Sequence, residues 1–190
     1  MAEKVFIDGR FYKGDIKDGK MNGFGTLTDP HGTVYKGEFR EDIMHGHGIK
    51  KFAEGGAYEG NFENGRMTGN GVYTSPEGWT YEGEFRDGEI SGRGKKTFSQ
   101  SEIIDEGEFS QGKLNGSGIR RFPDGSIYEG QWVNDKFQGR GRLVNAGSWT
   151  YTGDFNDGKI NGFGTKTYPD GTTEEGEWED NSMVITESEK

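Results

Sequence analysis

Paired carboxylates recur along this chain, as Glu82 with Glu84, Glu106 with Glu108, and Glu175 with Glu177. Two carboxylates can act as acid and base when a cleft gives them unlike environments. Here the pair returns in step with a larger pattern, which marks it as a solvated strand face. His45-Gly46-His47 could grip a metal from two sides, but no third ligand stands at a matching spacing. The acid-rich stretch Asp154-Phe155-Asn156-Asp157-Gly158 lacks the alternate-position ligands and terminal Glu of an EF-hand loop. Gly23-Phe24-Gly25 and its counterparts contain G-x-G without the strand–turn–helix context that cradles a phosphate. The chain has no Cys, which removes disulfides, thiolate zinc sites and thiol nucleophiles together. No Ser-His-Asp set is suggested by the spacing. These residues predict a non-enzyme with no catalytic residues, no cofactor and no metal.

The pattern that positions them is a repeat. Tyr-x-Gly, or its variant, begins at Tyr12, Tyr35, Tyr58, Tyr81, Asp105, Tyr128, Tyr151 and Glu174. The spacing is 23 residues, with one of 24 between Tyr81 and Asp105. A fixed period in this range signals a repeat architecture. Residues 1–11 read as an opening half repeat, 12–180 as the array with units starting at those positions, the last partial, and 181–190 as an acidic polar tail. Within a unit, Tyr151, Gly153 and Phe155 point one way and Thr152, Asp154 and Asn156 the other, the period-two alternation of a strand. A turn rich in Asp, Asn and Gly leads to a second strand such as Gly164–Tyr168, and Pro169-Asp170-Gly171 closes the unit. Each unit is thus a β-hairpin, and hairpins must stack to be stable. The predicted fold is all-β: an elongated, twisted, single-layer antiparallel sheet of about seven and a half hairpins, with a length of about 70 Å at strand spacing.

Composition agrees with this reading. Gly is 35 of 190 residues and the apolar fraction only 28%, yet aromatics reach 13%. A disordered chain has no use for so many rings. Mid-strand glycines such as Gly153 leave room for a neighbouring ring to lie over the backbone. The net charge is −10, but Glu174–Lys190 carries −6 of it, so the body stands near −4 and nucleic acid is not an expected partner. No signal segment is present, and no run of about 18 apolar residues could span a bilayer. A soluble, cytoplasmic protein is expected.

From Phe6 to Trp178 the units resemble the MORN (membrane occupation and recognition nexus) repeat family, whose motif is close to YxGxWxxGxxxGxGxxxxxxG. The resemblance implies a scaffold. Members occur beside lipid kinases, methyltransferases and junctional membrane proteins, and as stand-alone proteins of flagella and the cytoskeleton. Some bind a partner helix or peptide, some dimerise end to end, and membrane-lipid binding is proposed for others. This chain fits the stand-alone class, with cytoskeletal or ciliary association as the implied location. Departures from the motif are Asp105 and Glu174 for the leading Tyr, and Asp42, Asp135 and Asn181 for the first turn Gly. The fourth unit ends irregularly over Phe98–Ile104, where a bulge or changed twist is expected.

Three surfaces are candidates for binding. If the sheet curls, Tyr35, Phe39, Tyr58, Phe62, Tyr81, Phe85, Phe109, Tyr128 and Trp132 would line a concave aromatic groove for a helical or extended partner segment. Trp79 and Trp149 stand where other units hold small residues such as Thr33, Gly56 and Ser126, and could anchor an interface. The dibasic steps Lys50-Lys51, Lys95-Lys96 and Arg120-Arg121 could contact anionic lipid, or pair across strands with the acidic first strands. The primary reading is a scaffold or adaptor that binds another protein. The alternatives are peripheral attachment to anionic phospholipid, and an architectural homodimer joined through ribbon edges.

Overall fold

The computed structural model describes residues 2–184. The last part of the acidic tail, 185–190, lies outside the described residues. The chain divides into two compact units, Met1–Gln100 and Ser101–Lys190. The division falls within the irregular Phe98–Ile104 segment, where Glu102 takes a left-handed conformation at φ 55°.

No helix occurs among the described residues, and every strand is antiparallel to its neighbours. The first unit holds β1 (Ala2–Val5), β2 (Phe11–Lys17), β3 (Lys20–Thr28), β4 (Val34–Arg40), β5 (Ile43–Lys51), β6 (Ala57–Glu63), β7 (Arg66–Thr74), β8 (Trp79–Arg86) and β9 (Glu89–Phe98). The second holds β10 (Ile103–Ser110), β11 (Lys113–Arg121), β12 (Ile127–Val133), β13 (Lys136–Asn145), β14 (Trp149–Asn156), β15 (Lys159–Thr167), β16 (Thr173–Glu179) and β17 (Ser182–Met183). Within each unit consecutive strands pair in an up-and-down meander. Two-residue turns such as Asn64-Gly65, with φ of 51° and 79°, join the strands of a hairpin. Two successive positive φ values make a type I′ turn, whose twist matches that of the strands it joins.

The core of each unit is a row of rings seated on glycine. Gly60 of β6 faces Gly71 of β7, and the Tyr58 ring lies across both. A Cβ on Gly71 would stand 2.5 Å from that ring. The Tyr58 hydroxyl donates to the Asn61 carbonyl at 3.1 Å, and Tyr12, Tyr35 and Tyr128 make the same bond to the third residue onward. Phe39, Phe62, Phe85 and Phe155 each meet two tyrosines edge-on. Phe62 packs against Tyr58 of its own hairpin at 5.2 Å and Tyr35 of the preceding one at 4.9 Å. Such edge-to-face pairs add about 0.5–1.5 kcal/mol beyond the area they bury. The zigzag carries cohesion from hairpin to hairpin without a second layer.

Two devices that the alternation pattern does not reveal complete the packing. In each of the seven full hairpins the register shifts beside the G-x-G of the second strand, as between Gly37 and Glu38. The bulge leaves a backbone N–H without a strand partner, and a first-strand carboxylate takes it up. Glu38 accepts from His47 at 3.2 Å, Glu84 from Arg93 at 3.1 Å and Glu108 from Ser117 at 3.1 Å. Glu84 and Glu108, one member each of two carboxylate pairs, therefore hold a bulge, which explains their recurrence. The second device uses the departures at the turn. Asp42, Asp135 and Asn181 accept from the N–H of Met21, Leu114 and Ile160 of the preceding hairpin. Their own N–H groups donate to the carbonyls of those same residues.

Candidate functional site

The nine rings expected to line a groove are buried. Tyr58, Tyr81 and Tyr128 are 0% exposed, and Tyr35, Phe39, Phe62, Phe85, Phe109 and Trp132 no more than 4%. Their mutual edge-on contacts and the glycine seats close them off. Burial also raises the hydroxyls of Tyr35, Tyr58, Tyr81 and Tyr128 to about 12. A partner would touch the half-exposed residues beside them.

In the first unit those residues form a strip at the closing-turn end of the same face. Phe52, Tyr73, Trp79 and Phe98 are half-buried. Tyr73 stands 6.0 Å from Phe52 and 5.2 Å from Trp79. The register sets Trp79 opposite Phe98. Lys96 places its ammonium 4.2 Å from the Trp79 ring and 5.1 Å from Phe98, and Lys50 lies 5.2 Å from Phe52. The turn before β8 fixes the tryptophan. Ser75 N–H donates to the Trp79 carbonyl at 2.8 Å, the Ser75 hydroxyl receives Glu77 N–H at 3.1 Å, and the Glu77 carboxylate accepts from Trp79 Nε1 at 3.0 Å. Trp79 thus offers a rigid, partly open ring between an aromatic and a cation.

The structure parts each dibasic step between two faces, as adjacent strand residues must be. Lys50 and Lys96 stand in register with Tyr35 and Tyr81 on the ring face, while Lys95 stands opposite Glu82 on the other. Arg120 reaches the buried Asp105 through two bonds, and Arg121 meets Glu106 at 3.1 Å. These positions give cross-strand pairs and cation–ring contacts. A single basic stripe would need both members of a step on one face.

Trp149 in the second unit is half-buried, with the Lys166 ammonium 4.6 Å from its ring. His45 stands in register with Glu38, and among the described residues no group of three His, Cys, Asp or Glu is placed to hold a metal ion. The sequence reading missed Phe52, Tyr73 and Phe98. Phe52 and Phe98 stand 17 residues after the first residue of their unit, as Phe122 and Tyr168 do, and that recurring aromatic near the end of the second strand was the signal that could have found them.

The model of the MORN repeat matches seven segments: 12–34, 35–57, 58–80, 81–101, 106–127, 128–148 and 151–173. No curated protein matches the chain. Among solved structures, the wild-type TCP10 domain of Danio rerio CPAP is similar at TM-score 0.55 and 17% identity, over 93% of this chain and 83% of that one. The SAS-4 (dCPAP) TCP domain of Drosophila melanogaster, in complex with a proline-rich motif of Ana2 (dSTIL), is similar at TM-score 0.51 and 13% identity, over 92% of this chain and 88% of that one. At these identities the likeness is one of fold. Seven matched segments, six of them built on a tyrosine seated on glycine, place the chain in the MORN-repeat family.

Proposed function

We propose that this protein is a non-catalytic scaffold whose first-unit strip, centred on Trp79, receives an extended segment of a partner protein in cytoskeletal assembly. The observation that carries the reading is the half-open Trp79 ring, fixed by Glu77 and flanked by Tyr73, Lys96 and Phe98. Rings held by the fold lose little freedom on binding, so contact with them is converted efficiently into affinity. Neighbouring rings about 5–6 Å apart suit an extended, proline-bearing chain, whose conformation is already set and whose rings stack on aromatic faces. The complex of a TCP domain of similar fold with a proline-rich motif supports an extended ligand over a helical one. The buried rings of the first unit, Tyr35, Phe39, Tyr58, Phe62, Tyr81 and Phe85, serve as the rigid floor of the strip.

Affinity capture from native lysate, with the intact chain beside Trp79→Ser and washed at low and high salt, tests this. A protein retained at high salt by the wild type and lost by Trp79→Ser is the expected result, since ring contacts resist screening that weakens surface charge contacts. Retention only at low salt, with anionic vesicles bound equally by both, overturns the reading in favour of lipid attachment. Doubled mass in solution with no captured protein favours the homodimer.

A further inference from the structure

Lys166 of β15 stands in register with the buried Tyr151 on one side and Glu174 on the other. Its ammonium lies 4.6 Å from the centroid of Trp149, 5.4 Å from Tyr168 and 5.6 Å from Trp178. All three fall within the roughly 6 Å over which a ring face attracts a cation. Among the described residues Lys166 makes no hydrogen bond or ion pair, so rings alone hold it. The nearest carboxylate in register, Glu174, accepts the Tyr168 hydroxyl at 3.0 Å instead. The corresponding position is Leu27 in the first full hairpin and Leu143 in the sixth, so the hairpin itself requires no cation there.

Two of the rings do not depend on the lysine for their placement. Trp178 Nε1 donates to the Gly164 carbonyl at 3.2 Å, and its ring packs edge-on to Tyr151 at 5.5 Å. Tyr168 sits in a closing turn, its N–H donating to the Thr172 carbonyl at 2.9 Å.

We propose that Trp149, Tyr168 and Trp178 form a cation-binding aromatic cage, occupied in the free protein by Lys166, that accepts a methylated lysine from a basic peptide segment. Methylated ammonium is hydrated more weakly than a lysine amine, so it enters a ring cage at lower desolvation cost and can displace Lys166. The surroundings favour a basic peptide: Glu174 stands on the cage face in register with Lys166, with its carboxylate exposed beside Tyr168. A choline lipid headgroup would carry its phosphate toward the same carboxylate. The internal lysine weakens apparent affinity by the fraction of time for which it fills the cage. It acts as a built-in competitor.

The test uses the intact chain and tryptophan fluorescence. The probes are a Lys/Arg-rich peptide with one trimethyllysine, its unmethylated twin, and phosphatidylcholine vesicles. Lys166→Ala is expected to bind the trimethylated peptide at least about tenfold more tightly than the wild type, as removal of an internal competitor requires. The unmethylated twin should bind more weakly, and adding Trp149→Ala to Lys166→Ala should abolish the gain. Thermal melts establish that the variants are folded, and Lys166→Ser repeats the titration should Lys166→Ala be unstable. No saturable response from either folded variant, a gain that survives Trp149→Ala, or a response to vesicles alone would each overturn the proposal. Trp79 plays no part in this site, so its failure and that of the strip are separable.

Discussion

Asp105 and Arg120 join through two hydrogen bonds, 2.6 and 2.8 Å long, at the strand position that Tyr12, Tyr35, Tyr58 and Tyr81 hold in the preceding hairpins. Asp105 is 1% exposed, and the guanidinium lies 4.9 Å from the Trp132 ring. At Phe39, Phe62, Phe85, Phe155 and Trp178 that ring position meets the tyrosine of the hairpin before. Here the Trp132 Nε1 donates to the Gly118 carbonyl at 2.9 Å, and a cation takes the place of the missing tyrosine edge. An ion pair thus substitutes for a ring within an otherwise aromatic row.

Removing one partner should be costly. Asp105→Ala leaves the Arg120 charge without its anion in a largely buried place, and a loss of about 3–5 kcal/mol is expected in denaturant unfolding. Restoring the ring pattern with Asp105→Tyr and Arg120→Leu, the pair that Tyr128 and Leu143 present two strands on, should be neutral or stabilising by about 1–4 kcal/mol. A double variant as unstable as Asp105→Ala would show that the pair does more than fill a gap.

The glycine seats predict a contrast between hairpins. A methyl on Gly71 meets the Tyr58 ring at 2.5 Å, and the ring cannot retreat without losing its Asn61 bond and its edge contacts. Gly118 has no tyrosine over it. Its added Cβ would meet the flexible end of Leu114 at 3.0 Å, the Glu106 carbonyl at 3.1 Å and Trp132 Nε1 at 3.2 Å, all looser than the 2.5 Å at Gly71. Gly71→Ala should therefore cost about 1–3 kcal/mol or more, as overpacking does, and Gly118→Ala at least about 1 kcal/mol less. Chemical unfolding of the two variants side by side decides it, and equal losses would mean that the seats are not specific to tyrosine.

Much of this fold was legible because its rules are local. The period, the paired strands and the ring-over-glycine device all follow from which residues share a face, and Tyr58 on Gly60 and Gly71 matches that expectation. Ring burial was not legible, since Phe62 is covered by Tyr35, a full period earlier and in another hairpin. Face assignment says where a ring points; it does not say whether a neighbour closes over it. The bulges were missed for a related reason. Glu84 reads as one more solvated acid until Arg93 N–H is seen to need an acceptor. The strip at Trp79 joins Phe98, its cross-strand partner, to Phe52 of another hairpin, which only stacking brings near through Tyr73.

Alkaline pH should unfold the protein steeply. Burial raises the hydroxyls of Tyr35, Tyr58, Tyr81 and Tyr128 from 10.0 to about 12. The folded state holds these protons more tightly than the unfolded chain, so the stability they confer is complete below pH 10. It is lost as pH rises through 12, with a slope of about 1.4 kcal/mol per pH unit for each proton. Stability measured by urea unfolding should be flat with respect to these groups below pH 10 and fall between 10 and 12. Tyrosinate absorbance should appear together with unfolding. Ionisation of the buried tyrosines near pH 10 in a protein that is still folded would contradict their burial.

The turn departures give an ordering instead of a single value. Asp135 accepts from Leu114 N–H at 2.8 Å and returns its own N–H to the Leu114 carbonyl at 3.0 Å, so both backbone groups of a fully buried residue depend on it. It does so at φ 66°, where a side chain costs about 1–2 kcal/mol relative to glycine. Asp135→Asn keeps the acceptor and should match the wild type. Asp135→Gly gives up the acceptor but relieves the backbone, and should fall slightly below. Asp135→Ala loses the acceptor and keeps the strain, so it should be lowest, by about 1–3 kcal/mol for an unmet buried donor. Thermal melts of the three variants rank them directly. Gly above Asn would mean that backbone relief outweighs the side-chain bond, and that the consensus glycine is the stronger choice at this turn.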